Sequence, residues 1–277
     1  MRSNCDFIPF RGMTDNERVP ATPVTLAASD GVRIAAWHHA AAPGADPDLC
    51  LVMGHGFTCH QGMRELQAIA GTLNRTAAVC ALDYRGHGRS GGLSTVGDRE
   101  VHDLEAALRY AAERHAKVVT VGFSMGASIA LRHAALMGGV DAVVSVSSPA
   151  RWYYRDTVPM RRVHWAVERR LGRAAVRLAK RTRIAPKGWD PIPEAPFEVV
   201  GGIACPLLIV HGGRDAFFPP DHGELLYERA SDPRELWLEP EMGHAEIATT
   251  EALSLRIAQW AARAAAGPLA PKAPQAG

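Results

Sequence analysis

Short apolar runs and longer amphipathic stretches alternate along most of this chain. Short apolar or β-branched runs are typical of buried strands, whereas apolar positions that recur about every three or four residues are typical of helices. The predicted strands are 24–28 and 32–39, which form a hairpin, and then 48–53, 79–84, 117–121, 140–146, 205–210 and 234–238. The predicted helices are 62–73, 98–115, 127–137, 221–230 and 250–264. This alternation indicates an α/β fold, with a mostly parallel eight-stranded sheet flanked by helices.

The segment between the sixth and seventh predicted strands interrupts this alternation. Apolar residues recur within it at helical spacing and predict one amphipathic helix; they are Val163, Val167, Leu171, Ala174, Ala175 and Leu178. Prolines at 186, 191, 193 and 196 then predict an irregular return. We therefore expect residues 1–149 and 203–266 to form the core, residues 150–202 to form a small helical cap, and residues 267–277 to be a disordered tail.

A serine lies in a glycine-flanked turn between a predicted strand and a predicted helix. The five residues 122–126 read Gly-Phe-Ser-Met-Gly. In a strand–turn–helix context, this pattern exposes the serine hydroxyl at the apex of the turn. The glycines are needed because so tight a turn leaves no room for a Cβ. We predict that Ser124 is a nucleophile, and that the N–H of Met125 at the helix start faces the developing oxyanion.

Serine catalysis requires a base within hydrogen-bond reach and an acid that orients the base. In open α/β sheets these partners follow the serine in the order acid, then histidine. Asp215 lies just after the strand 205–210, at its carboxyl end, where ligand-facing residues collect. Its alternative role, as the cap of the next helix, suits Asp221 better. Asp215 is therefore the predicted acid.

Two histidines, His222 and His244, follow Asp215 in the chain. His222 falls in the first turn of a predicted helix, where the positive end of the helix dipole disfavours an imidazolium. His244 lies in a Gly-His loop after the strand 234–238, and such a loop can carry an imidazole to the nucleophile. His244 is therefore the predicted base.

A second oxyanion donor should come from a loop after an earlier strand. The sequence Gly54-His55-Gly56-Phe57 follows the strand 48–53. A turn of this kind would direct the N–H of Phe57 into the site beside that of Met125. His55 is expected to form hydrogen bonds within the turn and to have no catalytic role.

Two other patterns could suggest a cofactor, but their context argues against one. Residues 86–91 match G-x-G-x-x-G, yet the following residues read as a loop, whereas a dinucleotide fingerprint opens a helix at once. His38, His39, His55 and His60 have no cysteine or carboxylate at metal-ligand spacing in the sequence. We therefore expect no metal and no organic cofactor.

Five motifs together resemble the α/β-hydrolase superfamily. They are H-G-F-T at 55–58, D-Y-R-G-H-G-R-S at 83–90, G-F-S-M-G at 122–126, H-G-G-R-D at 211–215 and G-H at 243–244. The resemblance covers about residues 24–260 and is greatest to serine-aminopeptidase-like hydrolases, monoacylglycerol-lipase-like enzymes and small bacterial esterases. The serine at 124 separates this chain from haloalkane dehalogenases and epoxide hydrolases, which carry aspartate at the matching position.

The resemblance implies a serine hydrolase that cleaves a carboxylic ester through an acyl-enzyme. It implies Ser124 as nucleophile, Asp215 as acid, His244 as base, and Phe57 and Met125 as oxyanion donors. Thioester, amide and C–C bond hydrolysis use the same triad and remain open, because one scaffold hosts many chemistries. A different class also remains open, namely a non-catalytic binding protein that uses the basic cap as its contact surface.

The charge of the cap differs strongly from that of the rest of the chain. Residues 151–187 contain twelve Lys or Arg and two acidic residues, a balance of +10 in a chain whose net charge is +2. Either these cations form a solvated helix face, or they form a lid that attracts an anionic acyl substrate or an acidic membrane surface. Trp152, Tyr153 and Trp165 would line an acyl pocket or pack between cap and body. Nucleic-acid binding is not expected, since no motif for it occurs.

The composition is that of an ordinary water-soluble protein, with 47% hydrophobic and 22% charged residues. No apolar run is long enough for a transmembrane helix, and residues 1–10 lack the apolar stretch of a signal peptide. The five cysteines include no C-x-x-C pair, which favours a reducing compartment. We therefore expect a cytoplasmic protein whose oligomeric state the sequence leaves open.

Overall fold

Residues 21–267 are the part of the chain that the computed structural model describes. The segment 1–10 and, apart from Gly267, the predicted tail lie outside these residues. The strands are β1 Thr22–Ala27, β2 Arg33–His39, β3 Asp46–Gly54, β4 Ala77–Leu82, β5 Lys117–Phe123, β6 Ala142–Val146, β7 Leu207–Gly212 and β8 Arg234–Glu239.

All these strands form one eight-stranded sheet in the order β1-β2-β4-β3-β5-β6-β7-β8. Strand β2 runs antiparallel to both of its neighbours, β1 and β4. From β4 to β8, neighbouring strands pair in parallel. The predicted mostly parallel eight-stranded fold is therefore confirmed.

Helices cover both faces of the sheet. They are α1 Arg64–Asn74, α2 Glu100–Ala112, α3 Met125–Leu136, α4 Val158–Glu168, α5 Arg170–Lys180, α6 Pro196–Val199, α7 Asp221–Arg229, α8 Ala245–Ala248 and α9 Glu251–Ala265. Residues of α2, α3 and α7 belong to the core on one face. Those of α1 and α9 belong to the core on the other. Within residues 21–267, no helix has the length and apolar character needed to cross a bilayer.

Strand β3 illustrates why the central strands read as continuous apolar runs. Successive side chains of a strand point to opposite faces of the sheet. Leu49, Leu51 and Met53 enter the core on the α1/α9 side. Cys50 and Val52 enter the core on the α2/α3 side. Because both faces are covered, every one of these positions must be apolar.

The loop after β4, residues 83–99, is fixed by a buried ion-pair network. The guanidinium of Arg85 lies 2.6 Å from a carboxylate oxygen of Asp103 in α2, and 2.6 Å from a carboxylate oxygen of Asp30 in the β1–β2 turn. Helix α2 begins only at Glu100, so the G-x-G-x-x-G stretch at 86–91 is a loop, as predicted.

The amphipathic repeat predicted as one helix in the cap segment, residues 150–202, is divided between two helices. Two helices, α4 and α5, meet at Arg169, whose backbone is extended at φ −98° and ψ 138°. Helix α5 then packs closely on α4 at Gly172, where a Cβ would lie 2.7 Å from the Cα of Ala166. The apolar spacing fits both short helices as well as one long helix, so the pattern could not reveal the break.

We expect Gly172→Ala to weaken the cap segment, because the added methyl group has no room between α4 and α5. Overpacking of this kind costs about 1–3 kcal/mol. The cap segment is rich in Lys and Arg, so the rate of trypsin cleavage reports its opening, and this rate should rise in the variant. Gly188→Ala is the matched control, since nothing lies within 4 Å of its added Cβ. Equal cleavage rates in the two variants would contradict the packing argument.

Candidate active site

Ser124 occupies a strained turn between β5 and α3. Its φ is 50°, in the left-handed region that side chains rarely adopt. A Cβ on Gly122 would lie 2.6 Å from the Cα of Ala127, and a Cβ on Gly126 would lie 2.7 Å from the carbonyl oxygen of His55. The two glycines therefore allow β5, α3 and the loop after β3 to meet around the serine.

A chain of two hydrogen bonds joins Asp215, His244 and Ser124. The Nδ1 of His244 lies 2.7 Å from Oδ2 of Asp215, and its Nε2 lies 2.9 Å from Oγ of Ser124. Asp215 follows β7, and His244 lies in the loop between β8 and α8. The structure thus brings together three residues that are widely separated in sequence, at the carboxyl edge of the parallel strands.

The geometry determines where the protons lie in these two hydrogen bonds. Nδ1 of His244 donates to the carboxylate of Asp215, which leaves the Nε2 lone pair to accept the hydroxyl proton of Ser124. This is the arrangement of a general base in contact with a nucleophile.

The carboxylate of Asp215 is fully buried, yet it stays ionised. Burial alone would raise its pKa, but the hydrogen bond from His244 and the N–H groups of Phe218 and Phe217 outweigh burial and lower the pKa. Those two N–H groups lie 2.8 Å (Phe217) and 3.0 Å (Phe218) from Oδ1. An ionised carboxylate in this position stabilises a protonated His244.

The backbone after β3 approaches Ser124 in a loop held by two side chains. Glu246 accepts the N–H of Gly56 at 3.0 Å, and the Nε2 of His87 accepts the N–H of Thr58 at 3.2 Å. Between them lies Phe57, whose N–H donates no hydrogen bond among the described residues, and the same holds for the N–H of Met125. Two unused backbone donors beside the serine are what an oxyanion hole requires.

His55 and His87 are buried and neutral, and both support the same loop. The Nε2 of His55 accepts the N–H of Tyr84 at 3.1 Å, and its Nδ1 lies 2.8 Å from the carbonyl oxygen of Gly56. His55 thus forms hydrogen bonds within the turn, as expected. Burial lowers its pKa to about 4. Burial and the neighbouring His55 lower the pKa of His87 to about 3.

The loop that carries His244 is anchored on the residue that follows β6. The N–H of Ala245, next to His244, donates to Oγ of Ser147 at 3.1 Å, and Ser147 directly follows β6. The ring of Phe217 stacks on His244, with centroids 4.4 Å apart and planes at 26°. These contacts restrict the imidazole to one orientation.

His222 lies in α7 and forms a hydrogen bond with the backbone of the cap segment. Its Nδ1 accepts the N–H of Ala150 at 2.9 Å, and burial lowers its pKa to about 4. The hydroxyl of Ser124 instead donates to Nε2 of His244.

Two of the three predicted pocket residues, Trp152 and Tyr153, have ring contacts to Trp189 within residues 150–202. The Nε1 of Trp152 donates to the carbonyl oxygen of Pro193 at 2.8 Å, and its ring lies 5.1 Å from that of Trp189. Trp152 also lines an open groove of about 1100 Å³ that includes none of the three hydrogen-bonded residues. Tyr153 and Trp165 are 50% and 51% exposed. Their role as pocket lining stays a prediction.

Sequence reasoning missed Phe217 and Glu246. Phe217 lies two positions after Asp215, so this closeness in sequence was a signal that could have identified it. Glu246 is 3% exposed and lies 190 positions from Gly56, so only the folded chain brings the two together.

The sheet order and the serine turn after β5 are those of an α/β hydrolase. An esterase from Pyrococcus furiosus has this fold, with a TM-score of 0.71, 22% identity, and coverage of 95% of this chain and 100% of that one. The structure of Est1E from Butyrivibrio proteoclasticus with bound ferulic acid gives a TM-score of 0.65 at 20% identity, covering 88% of this chain and 100% of that one.

The chain belongs to the serine aminopeptidase S33 family of hydrolases (Hydrolase_4), since the family model matches residues 45–189, more than half of the sequence. A monoacylglycerol lipase from Mycolicibacterium smegmatis is 29% identical over 259 residues, covering 79% of this chain and 89% of that protein. Family and relatives support ester hydrolysis as the general reaction.

Acidification should destabilise the protein between pH 6.5 and about 3. His55 and His87 titrate at their ordinary pKa of 6.5 when unfolded and at about 4 and 3 when folded. As the pH falls below 6.5, these two imidazoles become protonated in the unfolded chain but stay neutral in the folded protein. At pH 5 each of the two imidazoles lowers the free energy of unfolding by about 2 kcal/mol. Urea unfolding at pH 7 and pH 5 measures it.

His87→Gln serves as the comparison for this prediction. Glutamine does not titrate, so the free energy of unfolding should change less between the two pH values than in the wild type. An equal change in both proteins would show that His87 is not held neutral by the fold.

Proposed function

We propose that this protein is a serine hydrolase that cleaves a carboxylic ester through an acyl-enzyme. The observation that carries the proposal is the hydrogen-bonded chain from Asp215 through His244 to Ser124, with distances of 2.7 Å and 2.9 Å. A base in contact with a nucleophile, and oriented by a buried carboxylate, is the arrangement that activates serine at neutral pH.

In the proposed mechanism, Oγ of Ser124 attacks the ester carbonyl carbon while its proton moves to Nε2 of His244. The carbonyl oxygen becomes an oxyanion that accepts hydrogen bonds from the N–H groups of Phe57 and Met125. The imidazolium, stabilised by Asp215, then gives its proton to the departing alcohol. A water molecule repeats the sequence on the acyl-enzyme and releases the acid.

Replacing Ser124 with alanine should lower kcat for p-nitrophenyl esters by about 10⁴-fold or more, because no acyl-enzyme can form. The fold should persist, which circular dichroism can verify. Ser148→Ala is the matched control, since its hydroxyl donates to the carbonyl oxygen of Pro149 and has no other hydrogen bond within residues 21–267. Turnover that survives in Ser124→Ala would refute the assignment of the nucleophile.

A fluorophosphonate probe separates catalysis from the alternative of a binding protein on a hydrolase fold. The proposed enzyme forms a covalent adduct at Ser124. A folded protein that forms no adduct would favour the binding protein. A panel crossing acyl length with ester, thioester and amide leaving groups then identifies the preferred bond, with monoacylglycerols included because a relative carries that name.

We also propose that the cap segment contacts an acidic membrane surface. On α5, the apolar side chains of Leu171 and Leu178 are 78% and 88% exposed. Basic residues surround them, namely Arg169, Arg170, Arg173, Arg177, Lys180 and Arg181. A helix with exposed leucines inside a basic surface has the composition of an interfacial helix. Such contact would bring the enzyme to apolar esters.

Replacing Leu178 with serine should weaken the affinity for phosphatidylserine-containing vesicles about tenfold or more, because burial of a leucine side chain contributes about 1.5–3 kcal/mol. Co-sedimentation with the vesicles measures this affinity. Leu136→Ser on α3 is the matched control, since Leu136 is also exposed, at 51%, but lies outside the cap segment. If the wild type does not bind vesicles, or if both variants bind them equally well, the proposal is contradicted. The basic residues of the cap segment would then form a face exposed only to solvent.

A further inference from the structure

Three side chains with metal-binding atoms converge at the edge of the sheet opposite Ser124. His38 lies in β2, Cys50 lies in β3, and His115 lies in the short connection between α2 and β5. One nitrogen of each histidine and the sulfur of Cys50 lie within 4.8 Å of one another. Strand β5 begins two residues after His115 and ends one residue before Ser124, so about 20 Å of strand separates the cluster from the nucleophile.

The two imidazoles face each other through their Nε2 atoms. The distance between Nε2 of His38 and Nε2 of His115 is 3.1 Å. His115 has a second contact, from Nδ1 to the carbonyl oxygen of Pro47 at 2.8 Å. A neutral imidazole that donates from Nδ1 keeps a lone pair on Nε2, and a backbone carbonyl in this role is the usual outer support of a metal-bound histidine.

From this geometry we propose that His38, Cys50 and His115 bind one Zn²⁺ ion. Tetrahedral zinc has Zn–N distances of about 2.0–2.1 Å and Zn–S distances of about 2.3 Å, so its ligand atoms lie about 3.3–3.8 Å apart. The separation of 3.1 Å between the two Nε2 atoms is close to this range. No two ligand atoms are more than 4.8 Å apart, so small side-chain movements bring all three to zinc-binding distances. Two imidazoles and one thiolate match the ligand preference of Zn²⁺.

Binding would change the protonation of two ligands. The thiol of Cys50 loses its proton to solvent as the Zn–S bond forms. His38 carries its remaining proton on Nδ1, so that its Nε2 lone pair binds the metal. His38 and His115 are only partly buried, so water has access to the fourth coordination position. The charge of Arg114 also acts on His38 and opposes a second cation, and the thiolate offsets this repulsion.

The ion would join three chain segments that are far apart in sequence. It would connect β2, β3 and the connection before β5, at the edge where the parallel strands begin. The role is therefore structural, and it is independent of the proposed ester hydrolysis. A bound ion stabilises the folded state by mass action, because the unfolded chain does not hold the three ligands together.

The test uses the full chain under reducing conditions with Zn²⁺ alone, in competition with a chromophoric chelator. We expect one equivalent to bind tightly and to raise Tm. Co²⁺ in place of Zn²⁺ should give a thiolate-to-metal charge-transfer band. His38→Ala and His115→Ala should each weaken binding by about 10–100-fold or more, and Cys50→Ser should abolish the charge-transfer band.

The control is His102→Ala, which removes a partly buried histidine of α2 that contacts Ser29 and lies outside the cluster. It should bind Zn²⁺ as the wild type does. If Cys50→Ser does not fold, His115→Ala tests the site alone, since His115 lies outside the helices and strands. The proposal is overturned if the wild type binds no zinc, or if the ligand variants retain the affinity and the charge-transfer band of the wild type.

Discussion

A single buried negative charge is the constraint on which this site depends. Asp215 lies out of contact with water, and a carboxylate in such a place is costly unless its oxygens are satisfied. One oxygen accepts hydrogen bonds from two backbone N–H groups of the loop after β7, and the other accepts one from the Nδ1–H of His244. The loop conformation therefore fixes the carboxylate, the carboxylate fixes the imidazole, and the imidazole meets the serine.

The serine side of the site depends on close backbone approach. Gly126 lets α3 start against the carbonyl groups of Gly54 and His55, and this contact places the N–H of Met125 beside the loop of Phe57. That loop is held from behind by Glu246 and by neutral His87. Glu246 and His87, which are far apart in sequence, thus hold the loop that carries the N–H of Phe57, and the ring of Phe57 itself contacts that of His87.

Much of this arrangement could be predicted from the sequence, because its signals are local. The apolar runs of β3 and β7, the glycines around Ser124, and the position of Asp215 after a buried strand each act within a few residues. The contacts that could not be predicted are long-range. Glu246 meets Gly56 across 190 positions, and His38 meets His115 across 77. Spacing along the chain carries no trace of such pairs.

The cap segment shows a second limit of sequence patterns. The apolar repeat of 163–178 is compatible with one helix or two, and the extended backbone at Arg169 divides it into two. The repeat also says which side chains share a face, but not whether anything covers that face. Leu171 and Leu178 belong to the repeat, and yet both are exposed.

The anchoring of Ala245 on Ser147 has a consequence for how such a protein can diversify. The bonds that orient Asp215, His244 and the loop of Phe57 come from strands and loops outside residues 150–202. That stretch adds one bond to the Asp215 loop, from the hydroxyl of Thr157 to the carbonyl oxygen of Phe217 at 3.0 Å. Changes elsewhere in that stretch can thus alter the neighbouring surface while the hydrogen bonds among Asp215, His244 and Ser124 persist.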